Sequence, residues 1–301
     1  MRFFRSLLSA TAAIAAIAAL PACAQPAPQA ATTDADPALW VVKDEDTTIY
    51  LFGTVHVLRP GLSWFDEAVK TAFDKSGELV LELVEPAPAE AQKVMMAYAI
   101  DKDGPPLTQK LSEADRASYI KATGEVGIPY QGIEPFKPWM ASVMLTMTGL
   151  QKAGFDPASG AEKVLTNAAK ASSKPIGALE TMEQQLGFFD SLSEESQIRF
   201  LNLTVREMPK TVDTMTNMIG TWSRGDPAGL GEIMNEGMKE SPELNKVLLV
   251  DRNSRWADWI NTRMAKPGTV FVAVGAGHLA GAGSVQDQLV RHKLKAERIK
   301  Y

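Results

Sequence analysis

Two apolar runs that end with the same spacing of glycine and histidine constrain this chain more than any other feature. Residues 49–52 lead into Gly-Thr-Val-His at 53–56, and residues 269–274 lead into Gly-Ala-Gly-His at 275–278. Both runs are rich in β-branched and aromatic residues, which favours strands. In open α/β folds, ligands bind outside the carboxyl ends of parallel strands, where glycine permits close approach of the backbone. The sequence therefore predicts two strands whose carboxyl ends each carry an imidazole.

The composition is that of a folded protein without the charge pattern of a nucleic-acid-binding protein. The chain has 301 residues, and 45% of them are hydrophobic, which is enough for a sizeable core. Its 31 basic residues are outnumbered by 36 acidic ones, and the sequence pI is near 5.4. Because DNA and RNA binding calls for a basic surface, we expect no nucleic acid partner.

The first residues have the pattern of an export signal. Arg2 and Arg5 precede an apolar segment at residues 7–20, which is shorter than the about 20 apolar residues of a membrane-spanning helix. Residues 1–24 are therefore predicted to be a signal peptide. We expect the protein to be exported, either to the periplasm or to another part of the cell envelope.

Two cleavage sites compete at the end of this segment. The pattern Ala22-x-Ala24 fits an ordinary signal peptidase, which would release a soluble chain that starts at Gln25. The pattern Leu20-x-Ala22-Cys23 instead resembles a bacterial lipobox, which would leave Cys23 as a lipid-modified N-terminus. Both remain open, so a lipid anchor at Cys23 is the one membrane contact that the sequence predicts. Because Cys23 is the only cysteine, no disulfide or thiolate metal site is expected in the folded part.

Downstream of the signal, the chain is predicted to form a flexible linker and one domain. Residues 25–37 are rich in Ala, Pro, Gln and Thr and lack the apolar bulk to order themselves. Residues 38–301 are predicted to be a single α/β domain with a central, mainly parallel sheet, an N-terminal hairpin, flanking helices and large helical insertions. The hairpin is formed by residues 38–42 and 47–52 on either side of a polar turn.

The order of strands and helices predicts parallel strand pairing. A helical pattern behind Ser63 separates the first motif from a buried strand at residues 78–84, and such β-helix-β units are almost always right-handed parallel crossovers. A short strand follows at residues 174–180, and the second motif supplies a fourth strand. Residues 295–299 are predicted to add an edge strand. Helices are predicted at residues 89–100, 112–123, 138–153, 158–172, 181–192, 193–219, 226–238 and 241–264.

Four ionisable side chains are predicted at the carboxyl ends of the parallel strands: His56, Glu82, Glu180 and His278. Burying an unpaired charge costs several kcal/mol, so we expect these groups to pair with one another or with a metal ion. Two imidazoles and one or two carboxylates form a ligand set for a divalent ion. The alternatives are structural histidines, and glutamates that cap the following helices. The repeated motif favours the ligand interpretation for both histidines.

Arg252 lies in a polar triplet, residues 251–253, within an amphipathic helical pattern. Such a triplet is typical of a surface salt-bridge cluster, but an arginine near the sheet edge can also clamp a carboxylate or stabilise an oxyanion. Spacing does not decide between these roles. His292 lies among basic residues and is predicted to be inert.

Seven short segments spread over residues 38–299 match one protein family. They are residues 38–40, 50–56, 81–82, 137–139, 177–181, 251–253 and 273–279, with Ala-Leu-Trp at the first and Ala-Val-Gly-Ala-Gly-His-Leu at the last. With these segments the chain resembles the TraB/GumN family. That family is related to the Tiki proteins, metalloproteases whose activity depends on two Gly-x-x-His motifs and a glutamate. It is also related to erythromycin esterases and to a haem-associated lipoprotein of the ChaN-like superfamily.

The resemblance implies a metal-dependent hydrolase that cleaves peptide bonds. His56, Glu82 and His278 match the residues on which that activity depends, and they would hold a divalent ion such as Mn, Co, Zn or Fe. Glu180 would then be a general base or a hydrogen-bonding partner of a ligand. Arg252 would be an oxyanion stabiliser.

The other motif residues, Gly53, Thr54, Gly275 and Gly277, are expected to line the cofactor site. The alternative to a hydrolase is a non-catalytic envelope protein that uses the same edge to sequester a peptide, haem or a polysaccharide-related ligand. Both hypotheses predict the same residues, and only turnover separates them. A third hypothesis treats the motifs as structural remnants in a scaffold.

Overall fold

The computed structural model describes residues 32–238 and 242–301. The predicted signal peptide (residues 1–24), Cys23 and the first part of the predicted linker (residues 25–31) lie outside the described residues, and the domain boundaries stay a prediction. The strands are β1 (Thr33–Asp34), β2 (Leu39–Lys43), β3 (Thr47–Thr54), β4 (Leu62–Ser63), β5 (Glu78–Leu83), β6 (Ile176–Glu180), β7 (Gly268–Gly275) and β8 (Glu297–Ile299). The helices are α1 (Glu67–Lys75), α2 (Pro88–Ala99), α3 (Glu113–Val126), α4 (Pro138–Lys152), α5 (Ala161–Ala171), α6 (Met182–Asp190), α7 (Glu194–Glu207), α8 (Thr211–Ser223), α9 (Pro227–Met238), α10 (Pro242–Asn245), α11 (Asp251–Met264) and α12 (Val285–Leu289).

Within the described part of the chain, six strands form one sheet in the order β6-β5-β7-β3-β2-β8. Strands β6, β5, β7 and β3 run parallel, whereas β2 pairs antiparallel with both β3 and β8. The sheet is therefore mixed but mainly parallel, with the hairpin β2–β3 at one side. This confirms the predicted fold class.

Both faces of the sheet are covered by helices. Successive residues of a strand point to opposite faces, so each strand contributes side chains to both layers. In β7, Phe271 and Ala273 pack on one face together with residues of α1 and α5. Val270 and Val272 pack on the other face together with residues of α11 and α12. Strands that are covered on both faces are nearly continuous in apolar residues, which is why they are recognisable as uninterrupted hydrophobic runs.

The predicted helical insertions are also confirmed, and they have hydrophobic clusters of their own. Helices α3, α4 and α7 share one cluster, which includes Tyr119, Leu145 and Leu201. Helices α2, α4 and α6 share another, in which the rings of Trp139 and Phe189 stack with their centroids 5.2 Å apart. These helices pack against one another and form hydrophobic clusters separate from those of the sheet. Among the described residues, none of the helices combines the length and apolarity needed to span a bilayer.

Two predicted helices are interrupted. The prediction of one helix over residues 193–219 is wrong, because a 3-10 turn at Met208–Lys210 separates α7 from α8. Pro209, within this turn, has no amide hydrogen and its ring clashes with the preceding helical turn. In the region of residues 241–264, a π-helical turn at Lys246–Val250 joins α10 to α11. Such turns occur frequently near functional sites, and this one directly precedes Arg252.

Candidate functional site

The carboxyl ends of the four parallel strands lie side by side at one edge of the sheet. Thr54 of β3 pairs with Gly275 of β7, and Leu83 of β5 pairs with the last residue of β6. The second histidine lies in a short 3-10 turn directly after β7. Along the edge, the sheet order therefore places Glu180, Glu82, His278 and His56 in sequence.

A buried arginine from the start of α11 joins the two carboxylates. Nε of Arg252 donates to Oε1 and Oε2 of Glu180 at 3.0 and 3.1 Å, and Nη2 donates to Oε2 of Glu180 at 2.7 Å. The same Nη2 donates to Oε2 of Glu82 at 2.5 Å. Arg252 is 9% exposed, Glu82 8% and Glu180 6%, so the two carboxylates share one guanidinium with little help from water. We refer to these three residues as the ion cluster.

Neutral donors complete the surroundings of both carboxylates. Nε2 of Gln185 donates to Oε2 of Glu82 at 3.2 Å and to Oε2 of Glu180 at 3.1 Å, and Nε1 of Trp256 donates to Oε1 of Glu180 at 3.0 Å. The backbone N–H of Gly275 donates to Oε1 of Glu82 at 2.6 Å. Burial by itself would raise the pKa of Glu82, but nearby positive charge, from His278 when it is protonated and from Arg252, outweighs burial and lowers this pKa. Glu82 is therefore ionised at neutral pH.

His278 is buried and held by one partner on each ring nitrogen. Nδ1 lies 2.6 Å from Oδ1 of Asn253, whose Nδ2 donates to the carbonyl of Gly283 at 2.8 Å. Because the Asn253 oxygen can only accept, Nδ1 of His278 carries the proton and Nε2 carries a lone pair. Nη1 of Arg252 donates to that lone pair at 3.1 Å, and Oε1 of Glu82 lies 3.7 Å from it. Burial lowers the pKa of His278 to about 3, so the ring is neutral at neutral pH.

The lowered pKa of His278 predicts a loss of stability in mild acid. Below the ordinary histidine pKa of 6.5 the unfolded chain binds a proton here that the folded chain, with its pKa of about 3, does not bind. Stability therefore rises with pH in this window, and His278 contributes a slope of about 1.4 kcal/mol per pH unit. Urea unfolding at pH 5 and 7 with a chelator present is expected to show a smaller difference for His278→Gln than for the wild type. Equal differences for both proteins would contradict the prediction.

His56 differs from His278 in its exposure to solvent, since its side chain is 68% exposed. Its Nδ1 lies 2.6 Å from Oε1 of Glu162, near the start of α5, and the Thr54 hydroxyl donates to the same oxygen at 2.5 Å. Attraction to the Glu162 carboxylate raises the pKa of His56 above its ordinary value, although water around the exposed ring screens part of the effect. The ring is therefore tethered at Nδ1.

Gly275 marks the point where these groups converge. A Cβ atom built on Gly275 would lie 3.1 Å from Oε1 of Glu82, 3.5 Å from Cδ2 of His278 and 3.7 Å from Nε2 of His56. A carboxylate and both imidazoles therefore border the small space that the absent side chain leaves open. We refer to it as the Gly275 space.

The other motif residues serve packing and support. A Cβ atom on Gly53 would lie 3.0 Å from Cα of Ala276, so the two motifs pack this closely only with glycine there. A Cβ atom on Gly277 would lie 2.1 Å from the terminal methyl group of Met234. The Thr54 hydroxyl is engaged by Glu162. Of these motif residues, Gly275 is the one that borders the convergent donors.

The donor types around the Gly275 space fit a divalent cation, since they comprise imidazole nitrogens and a carboxylate. An oxygen holds Nδ1 of both histidines, which is usual for metal-binding histidines and leaves Nε2 for the ion. Among the described residues, no three His, Cys, Asp or Glu side chains are arranged closely enough to hold an ion as they stand. Arg252 instead donates to Nε2 of His278, and it would have to release this atom to an ion.

The structure decides two alternatives that the sequence left open. Glutamate capping is wrong for both carboxylates, because Ala87 precedes α2 and the side chain of Thr181 caps α6 in a capping box. The surface salt-bridge role of Arg252 is also wrong, because Arg252 is buried in the ion cluster. His292, for its part, pairs with Asp258.

Sequence reasoning missed the residues that support this site. They are Glu162, Gln185, Asn253 and Trp256. Asn253 and Trp256 lie on the same helix as Arg252. The polar triplet at residues 251–253 and the spacing of 252 and 256, which places those two side chains on one face, are the signals that the sequence offers. Nothing in the sequence connects Glu162 with a histidine more than 100 residues earlier.

The fold and this edge define a mainly parallel α/β protein with two Gly-x-x-His motifs beside a buried ion cluster. The chain belongs to the TraB/PrgY/gumN family, whose model matches residues 38–298, and this confirms the resemblance found in the sequence. It is similar to the uncharacterized protein YbaP of Escherichia coli (strain K12), with 27% identity over 183 residues that cover 61% of this chain and 67% of YbaP. YbaP of Shigella flexneri matches to the same extent. An uncharacterized protein of Treponema pallidum (strain Nichols) is 20% identical over 278 residues, which cover 85% of this chain and 80% of that protein. No solved structure matches the chain.

Proposed function

We propose that this protein is an exported, metal-dependent hydrolase that cleaves peptide bonds. The observation that carries the proposal is the convergence of Glu82 and both motif histidines on the Gly275 space. An oxygen partner holds Nδ1 of each ring, so that Nε2 is the nitrogen that would bind the ion. His56, Glu82 and His278 would hold the ion, which is Mn, Co, Zn or Fe by its donor chemistry.

When bound, the ion would polarise the scissile carbonyl and lower the pKa of a water molecule toward about 7. The residues of the chain prepare the place for this chemistry. Asn253 keeps the proton of His278 on Nδ1, so that Nε2 carries the lone pair, which Arg252 would release to the ion. The N–H of Gly275 fixes one oxygen of Glu82, while Arg252 and Gln185 fix the other.

Glu180 and Arg252 support this site in our proposal. The oxygens of Glu180 already accept hydrogen bonds from Arg252, Trp256 and Gln185, so we assign Glu180 the role of holding Arg252 rather than that of a general base. Arg252 donates to both carboxylates, to His278 and, through Nη1 at 3.3 Å, to the carbonyl of Leu248. An arginine with so many partners orients carboxylates more readily than it receives an oxyanion.

Export is proposed from residues 1–24 alone. Arg2, Arg5 and the apolar segment at residues 7–20 have the order of a signal peptide, and Cys23 offers a site for a lipid anchor. A hydrolase in the cell envelope would meet peptides of that compartment.

Elemental analysis of protein purified without a histidine tag tests the metal site. We expect the wild type to retain a divalent ion, and His56→Ala and His278→Ala to lose both the ion and the cleavage of a mixed peptide library. His292→Ala is the matched control, because His292 is the third histidine of the chain and pairs with Asp258 instead. A folded His278→Ala protein that cleaves peptides without metal would sink the proposal.

One observation favours the alternative of a non-catalytic envelope protein that binds a peptide, haem or a polysaccharide-related ligand. Arg252 already donates to Glu82 and to Nε2 of His278, so both groups have a hydrogen-bonding partner without an ion. Tight ligand binding with no cleavage in the presence of manganese, cobalt or zinc would make this the better account. For haem, a Soret band that disappears in His56→Ala would identify the ligand.

A further inference from the structure

Glu162 contacts His56 directly although it belongs to neither histidine motif. Its Oε1 lies 2.6 Å from Nδ1 of His56 and accepts a hydrogen bond from the Thr54 hydroxyl at 2.5 Å. Thr54 is buried, and the Glu162 side chain is 23% exposed, whereas that of His56 is 68% exposed. The carboxylate that holds this exposed imidazole is therefore the more buried partner of the pair.

Backbone packing fixes the position of Glu162. The N–H of Ala161, the first residue of α5, donates to the carbonyl of Val55 at 3.0 Å. A Cβ atom on Gly160 would lie 2.1 Å from the carbonyl oxygen of His56, so only glycine permits this approach. The first turn of α5 is thus docked on the backbone of the first motif, and it carries Glu162 to the His56 ring.

This contact determines which nitrogen of His56 faces the Gly275 space. With Nδ1 bound to Glu162, Nε2 lies 3.7 Å from the position of a Cβ atom on Gly275. His278 is also held at Nδ1, by Asn253, while its Nε2 accepts a hydrogen bond from Arg252. His278 is additionally confined by burial and by the ring of Trp256, 4.3 Å away between centroids. His56 lacks such confinement, so its rotamer and tautomer depend on Glu162.

We propose that Glu162 is a positioning residue that holds His56 with its Nε2 toward the Gly275 space. The inference rests on the proposed function, since the ion is what Nε2 would bind, but the state of the ring can be measured without any ion. Thr54 assists by orienting the carboxylate. His56 and His278 are thereby positioned in the same way, by an oxygen atom at Nδ1.

The first test is the imidazole ¹⁵N spectrum of the metal-free protein, recorded at a pH where the rings are neutral. The chain has three histidines, so single variants assign every ring. We expect the His56 proton on Nδ1 in the wild type. In Glu162→Ala it is expected to move toward Nε2, whereas Glu162→Gln, whose side-chain oxygen still accepts, is expected to keep the wild-type state. Unchanged His56 signals in Glu162→Ala would overturn the proposal.

The second test is zinc affinity, measured with zinc chloride against a chromophoric chelator. Glu162→Ala is expected to weaken binding by about 10–100-fold, as removal of a histidine's partner usually does, and Glu162→Gln is expected to bind nearly as the wild type does. Glu113→Ala is the matched control, because it removes another glutamate from the first turn of a helix, in α3. If the alanine variant does not fold, Glu162→Leu replaces it.

The two proposals fail in different ways. If His56→Ala loses zinc but Glu162→Ala binds it like Glu113→Ala, the positioning role is wrong and the proposed function stands. If zinc binding does not depend on His56, the proposed function fails, and the imidazole spectrum still decides the role of Glu162.

Discussion

Replacing Arg252 with methionine is expected to lower the free energy of unfolding by about 3–5 kcal/mol, because breaking a buried ion pair leaves uncompensated charge. The guanidinium is the only cation of the ion cluster, and its Nη2 donates to Glu82 at 2.5 Å and to Glu180 at 2.7 Å. Methionine keeps the bulk of the side chain but supplies none of these hydrogen bonds. Urea unfolding followed by far-UV circular dichroism at pH 7 measures the effect.

The same helix provides a matched control in Arg255. Its Nη2 lies 4.0 Å from Oε1 of Glu180, and its side chain is 49% exposed. We expect Arg255→Met to cost at most about 1 kcal/mol, as exposed pairs do. The loss in Arg252→Met is expected to shrink as the pH falls toward 5, since buried carboxylates without a cation take up protons more readily. Equal stability of the two variants would show that the ion cluster contributes little.

The fold was predictable where burial of a strand or helix produces a recognisable hydrophobic pattern in the sequence. The strands that became β3, β5 and β7 are covered on both faces, so each is an uninterrupted apolar run. A parallel arrangement then follows from the helices between them, and it brings the strand ends to one edge. His56, Glu82, Glu180 and His278 could be grouped in this way without any knowledge of contacts.

The partners of these residues could not be predicted, because they come from helices whose docking depends on tertiary packing. Arg252 is 170 residues from Glu82 in the chain, and no local pattern links them. Glu162 looks like any acidic residue in the first turn of a helix, where it favours the helix dipole. Its contact with His56 arises from the close approach of Gly160, which is a property of two backbones. Pro209, in contrast, was a local signal that marks the break between α7 and α8.

Replacing Gly275 with alanine is expected to weaken metal binding strongly while leaving the fold largely intact. The backbone of Gly275, with φ −48° and ψ 133°, is open to any residue, so alanine adds no backbone strain. Its methyl group would lie 3.1 Å from Oε1 of Glu82 and 3.7 Å from Nε2 of His56. We expect zinc affinity to fall by at least about tenfold, and stability to fall by about 1–2 kcal/mol from crowding.

This substitution removes no donor atom, and for that reason it separates the location of the site from the identity of its ligands. A histidine variant that loses zinc shows only that the imidazole matters, whereas Gly275→Ala tests whether the ion lies in the Gly275 space. Gly77→Ala is the control, since its Cβ atom would meet only the carbonyl of Thr269 at 3.7 Å, an ordinary contact beside the start of β5. Wild-type zinc affinity in Gly275→Ala, with affinity lost in His56→Ala, would place the ion outside the Gly275 space.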